Sequence, residues 1–242
     1  MVRPLAVLLL VAGAGHWSSA SAASMEVLSL KDSETPAILI EGDIGRGDYL
    51  RLREIYEKVV RPGTKVGLNS PGGDVGEAMR IGDFLEEKRV SVVVVGSCAS
   101  SCVLILAGGN FKTVAGRVGI HRPYLVDTHI PADKIRELFP KLKDQLGDYF
   151  EKKGVPRSLA EDMFSIPPER VKWLTTDEIA KYRLDRKSYI VEEQDDVRYS
   201  QELGMSRAEY LAKKRRLSDE CSTYKGQFDE MKKCVTRIMG AP

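Results

Sequence analysis

The spacing of apolar positions changes along the chain, and the changes mark its elements. Met25–Leu30 and Ala37–Glu41 read as short strands, the second bounded by Pro36 and the Gly42-Asp43 turn signal. From Asp48, a capping residue type, Leu50, Leu52, Ile55, Tyr56, Val59 and Val60 fall partly on one helical face. Lys65–Asn69 predicts a strand, and Asp74–Lys88 a helix carrying Val75, Ala78, Met79 and Leu85. Val90–Val95 is almost unbroken valine, as in a strand covered on both faces of a parallel sheet. Ala99–Ala107 predicts the next helix, and Lys112–Ala115 and Val118–His121 two further strands. Strand and helix alternating at this pace predict an α/β fold of repeated strand–helix units, layered through right-handed crossovers.

The later chain turns helical and then charged. Ala132–Lys153 predicts a long helix with Pro140 inside it, a residue that can bend it. Arg157–Phe164 and Thr176–Tyr182 predict shorter helices, and Ser188–Val191 a last strand. Beyond Glu192 charged residues dominate, and Ser206-Arg-Ala-Glu209 has the spacing of a capping box for a helix reaching Arg216. The expected organisation is a leader over 1–22, an α/β domain over 23–191 and a helical appendage over 192–242.

The leader has the layout of a secretory signal. Arg3 supplies a basic start, Leu5–Ala14 an apolar run, and Ala20-Ser21-Ala22 the small residues before a cleavage site. The run is only about ten residues, short of the roughly 20 needed to span a bilayer; an uncleaved anchor is the alternative. The expected location is periplasmic or secreted, with no stable membrane span after removal. In such a compartment Cys98, Cys102, Cys221 and Cys234 read as disulfides rather than zinc ligands, since their spacings are not those of zinc knuckles. Four cysteines allow three connectivities, and the local one joins Cys98 to Cys102 and Cys221 to Cys234. The second bond needs a chain reversal, expected near Gly226, because 13 residues of continuous helix span about 20 Å.

Composition narrows the function further. Apolar residues make up 43% and charged ones 30%, which excludes a disordered or multi-span chain. A net charge of +2 offers no bulk attraction to a polyanion, so no nucleic-acid partner is expected.

Three segments carry candidate chemistry. Leu68-Asn-Ser-Pro-Gly-Gly73 ends a strand in a turn able to expose backbone N–H groups. Gly96-Ser-Cys-Ala-Ser-Ser-Cys-Val103 places small residues between the valine strand and the next helix. Val118-Gly-Ile-His121-Arg-Pro123 ends a strand in a histidine; His16 falls in the leader and His129 in a loop-like stretch. Acyl transfer needs a nucleophilic hydroxyl, a base and paired N–H donors, and together these segments hold all three. Singly, each has a plain structural explanation: a turn, a helix cap, a packed histidine.

In combination, Asn69-Ser-Pro-Gly-Gly73, Gly96-x-x-Ala99-Ser100 and Ile120-His121-x-Pro123 resemble the proteolytic subunit of the Clp protease and its exported relatives, within the Clp/crotonase superfamily. The resemblance runs from Leu39 to Leu184. It implies Ser100 as nucleophile, His121 as general base and the N–H groups of Gly73 and Ser101 as an oxyanion hole. Trp173-Leu-Thr-x-x-Glu178 resembles a later Phe-Leu-Ser-x-x-Glu stretch of that family. It also implies a peptide or protein substrate, a homo-oligomer, and no cofactor or metal.

One departure stands out. The family's triad aspartate falls where this chain has Val171, and losing the residue that orients the histidine can cost about 10⁴ in rate. Glu169 or a backbone carbonyl are the candidates to orient His121 instead. Cys98 and Cys102 flank Ser100, where a bond would brace the turn; Cys98 as nucleophile is disfavoured by an oxidising compartment. The favoured reading is an exported, ATP-independent serine hydrolase, and the resemblance implies that it is a peptidase. A catalytically inactive Clp-like scaffold or binding protein is the alternative. A crotonase-like acyl-CoA enzyme is disfavoured by export away from the CoA pool.

Overall fold

The computed structural model describes residues 22–28, 35–124, 131–186, 189–224 and 227–240. The expected leader therefore lies outside the described residues except for Ala22, as do His129 and Gly226.

One seven-stranded sheet organises the chain. β1 (Ser24–Leu28) lies antiparallel to β2 (Ala37–Glu41). From β2 the sheet continues in parallel through β3 (Lys65–Ser70) to β4 (Ser91–Ala99). The first half of β4 pairs with β5 (Lys112–Val114) and its second half with β6 (Arg117–Ile120), again in parallel. β7 (Lys172–Trp173) closes the order antiparallel to β6. Parallel neighbours require crossovers. Here they are α1 (Asp48–Val59), α2 (Val75–Glu87) and α3 (Cys102–Ala107).

Alternation along the strands decides where the core sits. Ile38, Ile40, Val66, Leu68, Val92 and Val94 are fully buried and share one cluster with Leu52, Ile81, Leu85 and all of α3. The valine run is covered more on one face than expected from its composition. Val93 is half-buried and Val95 exposed, because the helices pack over the Val92 and Val94 side. Gly82 and Gly108 let α2 and α3 approach closely, since a Cβ at Gly108 would fall 2.1 Å from the Gly82 carbonyl oxygen. Tyr149 of α4 (Ala132–Lys152) donates its hydroxyl proton to the Leu104 carbonyl at 3.0 Å, fixing that long helix behind α3. Helix α4 runs through Pro140.

β4 runs on to Ala99, past the expected end at Val95, and two further boundaries depart from the sequence pattern. Helix α3 starts at Cys102 rather than Ala99, because Ser100 is left-handed (φ 54°) and cannot join a right-handed helix. The strand expected over Ser188–Val191 is instead the start of helix α7 (Tyr189–Glu202); Ser188 itself lies outside the described residues. Its short apolar run fits either element, and length arbitrates for helix once the charged residues beyond it continue the turn. Helices α5 (Ser158–Ser165) and α6 (Thr176–Lys181) fall where the pattern puts them. Thr175 and Glu178 cap α6 reciprocally.

Helices α8 (Arg207–Arg216) and α9 (Phe228–Met239) complete the C-terminal region. The Ser206 side chain accepts the Glu209 N–H and caps α8. Cys98 is bonded to Cys102 and Cys221 to Cys234, with Cα separations of 5.3 and 5.8 Å. Among the described residues, no helix is long and apolar enough to cross a membrane.

Candidate active site

The candidate residues converge where β3, β4 and β6 end. Past Leu68–Val94 the β3–β4 register slips, so that Ser70 faces Cys98. The Asn69 carboxamide fills the gap, accepting the Ser97 N–H at 3.1 Å while its own NH₂ donates to Glu41 at 2.7 Å. Ser70 Oγ donates to the Gly42 carbonyl at 2.6 Å and accepts the Gly72 N–H at 3.1 Å. Asn69 and Ser70 therefore hold the turn that follows them.

That turn depends on its two glycines. Gly72 has φ 105° and Gly73 φ 142°, where L side chains are strained. A Cβ on Gly73 would fall 2.1 Å from the Ile44 carbonyl oxygen, and one on Gly72 2.8 Å from Ser100 Cβ. Ile44 grips the turn from outside: its N–H donates to the Gly72 carbonyl at 2.7 Å, and its carbonyl accepts the Asp74 N–H at 2.8 Å. Among the described residues neither the Gly73 N–H nor the Ser101 N–H has a hydrogen-bond acceptor. Ser101 Oγ donates to the Gly73 carbonyl at 3.1 Å, tying the two together.

Ser100 sits on the adjoining elbow. A left-handed non-glycine residue costs about 1 kcal/mol or more and persists only where neighbours over-determine it. They do so here. The Ser100 N–H donates to the Gly119 carbonyl at 3.0 Å, and its carbonyl accepts the Val103 N–H at 3.1 Å. The Cys98–Cys102 bond closes over the residue from both sides.

His121 extends from β6 two residues after Gly119 and is 7% exposed. Its Nδ1 lies 2.9 Å from the Arg122 carbonyl oxygen. A carbonyl only accepts, so this contact requires a proton on Nδ1, and in the neutral ring the lone pair then lies on Nε2. Tyr124 stacks on the imidazole, with ring centroids 6.2 Å apart.

Ser100, His121, Gly72 and Gly73 line one cleft of about 460 Å³, walled also by Ile44 and Tyr124. Glu169 is not among these residues; it is exposed in the loop between α5 and β7. The β6–β7 register pairs Ile120 with Lys172, so one step further places Val171 beside His121. Val171 packs its methyl against Gly119, where a Cβ would lie only 2.5 Å away. The group that His121 Nδ1 contacts is therefore the Arg122 carbonyl and not a side-chain acid. Sequence reasoning left a carbonyl open as a choice, but no residue type signals it, since every residue carries one. Ile44 was missed for a similar reason: it acts through its backbone. Among the described residues no group of His, Cys, Asp and Glu side chains is placed to hold a metal ion.

No curated protein matches the chain. The sequence model of the Clp protease family matches residues 62–184, which take in the glycine turn, the Ser100 elbow and His121. With just over half of its length so matched, the chain belongs to the Clp protease family.

Proposed function

We propose that the protein is a serine peptidase, or a closely related hydrolase, acting through Ser100 and His121. The observation that carries the reading is a single cleft lined by Ser100, His121 and the Gly72-Gly73 turn, with His121 Nδ1 engaged by a carbonyl. His121 Nε2 takes the proton of Ser100 as Oγ attacks the scissile carbonyl. The resulting oxyanion is met by the N–H groups of Gly73 and Ser101, each worth about 3 kcal/mol when so placed. Collapse expels the amine, protonated by His121, and water then releases the acyl group from Ser100 by the same route.

A carbonyl orients the imidazole but brings no full negative charge to stabilise the imidazolium. The enzyme is therefore slow, by up to about 10⁴-fold relative to a complete triad. Val171 is also the observation that favours the second reading, a Clp-like scaffold with a vestigial site. The leader pattern and the two disulfides support export, to the periplasm or outside the cell. The half-exposed valine face of β4 and the family's habit of assembly support a homo-oligomer acting on peptides without ATP.

Labelling with a fluorophosphonate probe tests the reading. Wild type labels at Ser100, Ser100→Ala does not label, and His121→Ala labels at least about 100-fold more slowly. Labelling that is absent from folded wild type, or that survives in Ser100→Ala, refutes it in favour of the scaffold.

A further inference from the structure

We propose that the α-amino group released at Ala23 is a positioning group of the cleft, paired with the buried carboxylate of Asp48. The proposal rests on the reading of residues 1–22 as a cleaved leader. Water adds across the Ala22–Ala23 amide under a signal peptidase. The C–N bond breaks, Ala22 departs as a carboxylate, and the Ala23 nitrogen gains protons to become an ammonium.

The site for that ammonium is already built. Ala22 is exposed but Ala23 is 1% exposed, so the chain enters the core across this very bond. The Ala23 N–H donates to Asp48 Oδ2 at 3.1 Å. Asp48 is itself 1% exposed, and the same oxygen accepts the Gly45 N–H at 2.8 Å. Arg51 approaches the other oxygen, Nη2 to Oδ1, at 3.1 Å. Burying a carboxylate is costly unless charge and hydrogen bonds surround it. An amide at Ala23 supplies one N–H and no charge, whereas an ammonium supplies a full charge and three donors, and charge-assisted bonds are about twice as strong.

The link to the cleft is short. Gly45, held by Asp48, follows Ile44, and Ile44 is the residue that grips Gly72 and Asp74 on either side of Gly73. Asp43 and Ile44 also wall the cleft directly. A Cβ on Gly45 would lie 3.2 Å from Ala22 Cα, so the segment that Asp48 holds runs directly beside the bond to be cleaved.

The test uses three forms of the chain: starting at Ala23 with a free amine, the same chain N-acetylated, and one starting at Ser21. Each is made with Asp48 and with Asp48→Asn, and each is measured for Tm and for fluorophosphonate labelling resolved into probe affinity and labelling rate. Blocking or extending the amine should lower Tm by about 5 °C. It should also slow labelling about tenfold at little changed probe affinity. Both effects should vanish in Asp48→Asn. Equal losses in both backgrounds, no loss with Asp48, or a Tm change without a rate change overturn the proposal. Exported protein whose first residue by mass spectrometry is not Ala23 overturns it too. If no form labels, the hydrolase reading fails and the positioning role with it, while the Tm comparison still decides the ion pair. The acetylated and extended chains keep every side chain, so the comparison stands even if Asp48→Asn does not fold.

Discussion

Phe150 in α4 and Phe228 in α9 both stand in amphipathic helices, yet the first is fully buried and the second 81% exposed. The sheet region closes over its large side chains with three crossover helices and the end of α4. Among the described residues, the C-terminal helices bury just Cys221, Cys234 and Ile238 in their own apolar cluster, with Leu217, Tyr224, Met231 and Met239 half-covered around it. What they have instead is covalent and ionic: the Cys221–Cys234 bond, Lys214 on Asp196 at 2.6 Å, and Arg216 and Arg237 on Glu220 at 2.8 and 3.0 Å. Exposed ion pairs contribute about 0–1 kcal/mol each. One region is therefore held by apolar burial and the other by a cross-link.

The largest effect follows from the first half of that contrast. Phe150→Ala removes a fully buried ring and should cost about 3–5 kcal/mol, read as a lower urea midpoint at unchanged slope. A change near zero would mean that the α4 interface is not part of the core. The second effect belongs to the other region. Replacing Cys221 and Cys234 by serine should cost about 2–4 kcal/mol, confined to the C-terminal helices. Hydrogen exchange should show α8 and α9 losing protection while α2 and β4 keep theirs. Equal loss in both would erase the distinction between the regions.

How much of this the residues announce by themselves also differs between the two regions. The sheet was legible because valine and isoleucine alternate or cluster between turn signals, and the glycine turn, Ser100 and His121 stand at the strand ends that the pattern marks. What was not legible is backbone work. Nothing in the composition of Gly96–Val103 says that Ser100 turns left-handed and delays α3 to Cys102. Nothing in Arg122 or Ile44 as residue types reveals that their main-chain groups hold His121 and the Gly73 turn. In the C-terminal region the short apolar stretch before Glu192 gave too few positions for the period to choose between strand and helix.

A third effect separates two uses of the same bond. Cys98 and Cys102 lie inside the main core, where packing already fixes the chain, and they stand only four positions apart in sequence. Replacing both by alanine should cost about 2 kcal/mol, less than opening the larger C-terminal loop. Its functional effect should exceed its effect on stability, because Ser100 lies within the loop. We expect labelling at Ser100 to slow about tenfold, with Tm reduced only a few degrees. Unchanged labelling would leave the elbow fixed by its two backbone hydrogen bonds alone.

The smallest effect lies on the seam between the regions, at Lys112. Its backbone N–H donates to the Arg186 carbonyl at 3.0 Å, and its side chain borders a hollow of about 530 Å³ shared with Glu192, Asp196, Tyr210 and Lys214. Lys112 is 4% exposed, and among the described residues its Nζ donates to the Gly109 carbonyl alone, at 3.3 Å. Burial pushes its ammonium down to about 8, more than Glu86 and Glu192 recover by attraction. The folded value is thus below that of the unfolded chain, and between about pH 8 and 10.5 the unfolded state binds more protons. Stability should therefore rise with pH through that window, whereas below about pH 8 the cost of the buried charge is present in full. Lys112→Met removes the charge, so the variant should be the more stable at pH 7 by roughly 1–2 kcal/mol, allowing for the bond lost at Gly109. The two urea midpoints should converge as the pH approaches about 10. Midpoints that stay parallel from about pH 7 to 10 would show that water or the carboxylates of α7 already solvate the ammonium, and the seam would then belong with the polar C-terminal region rather than with the core.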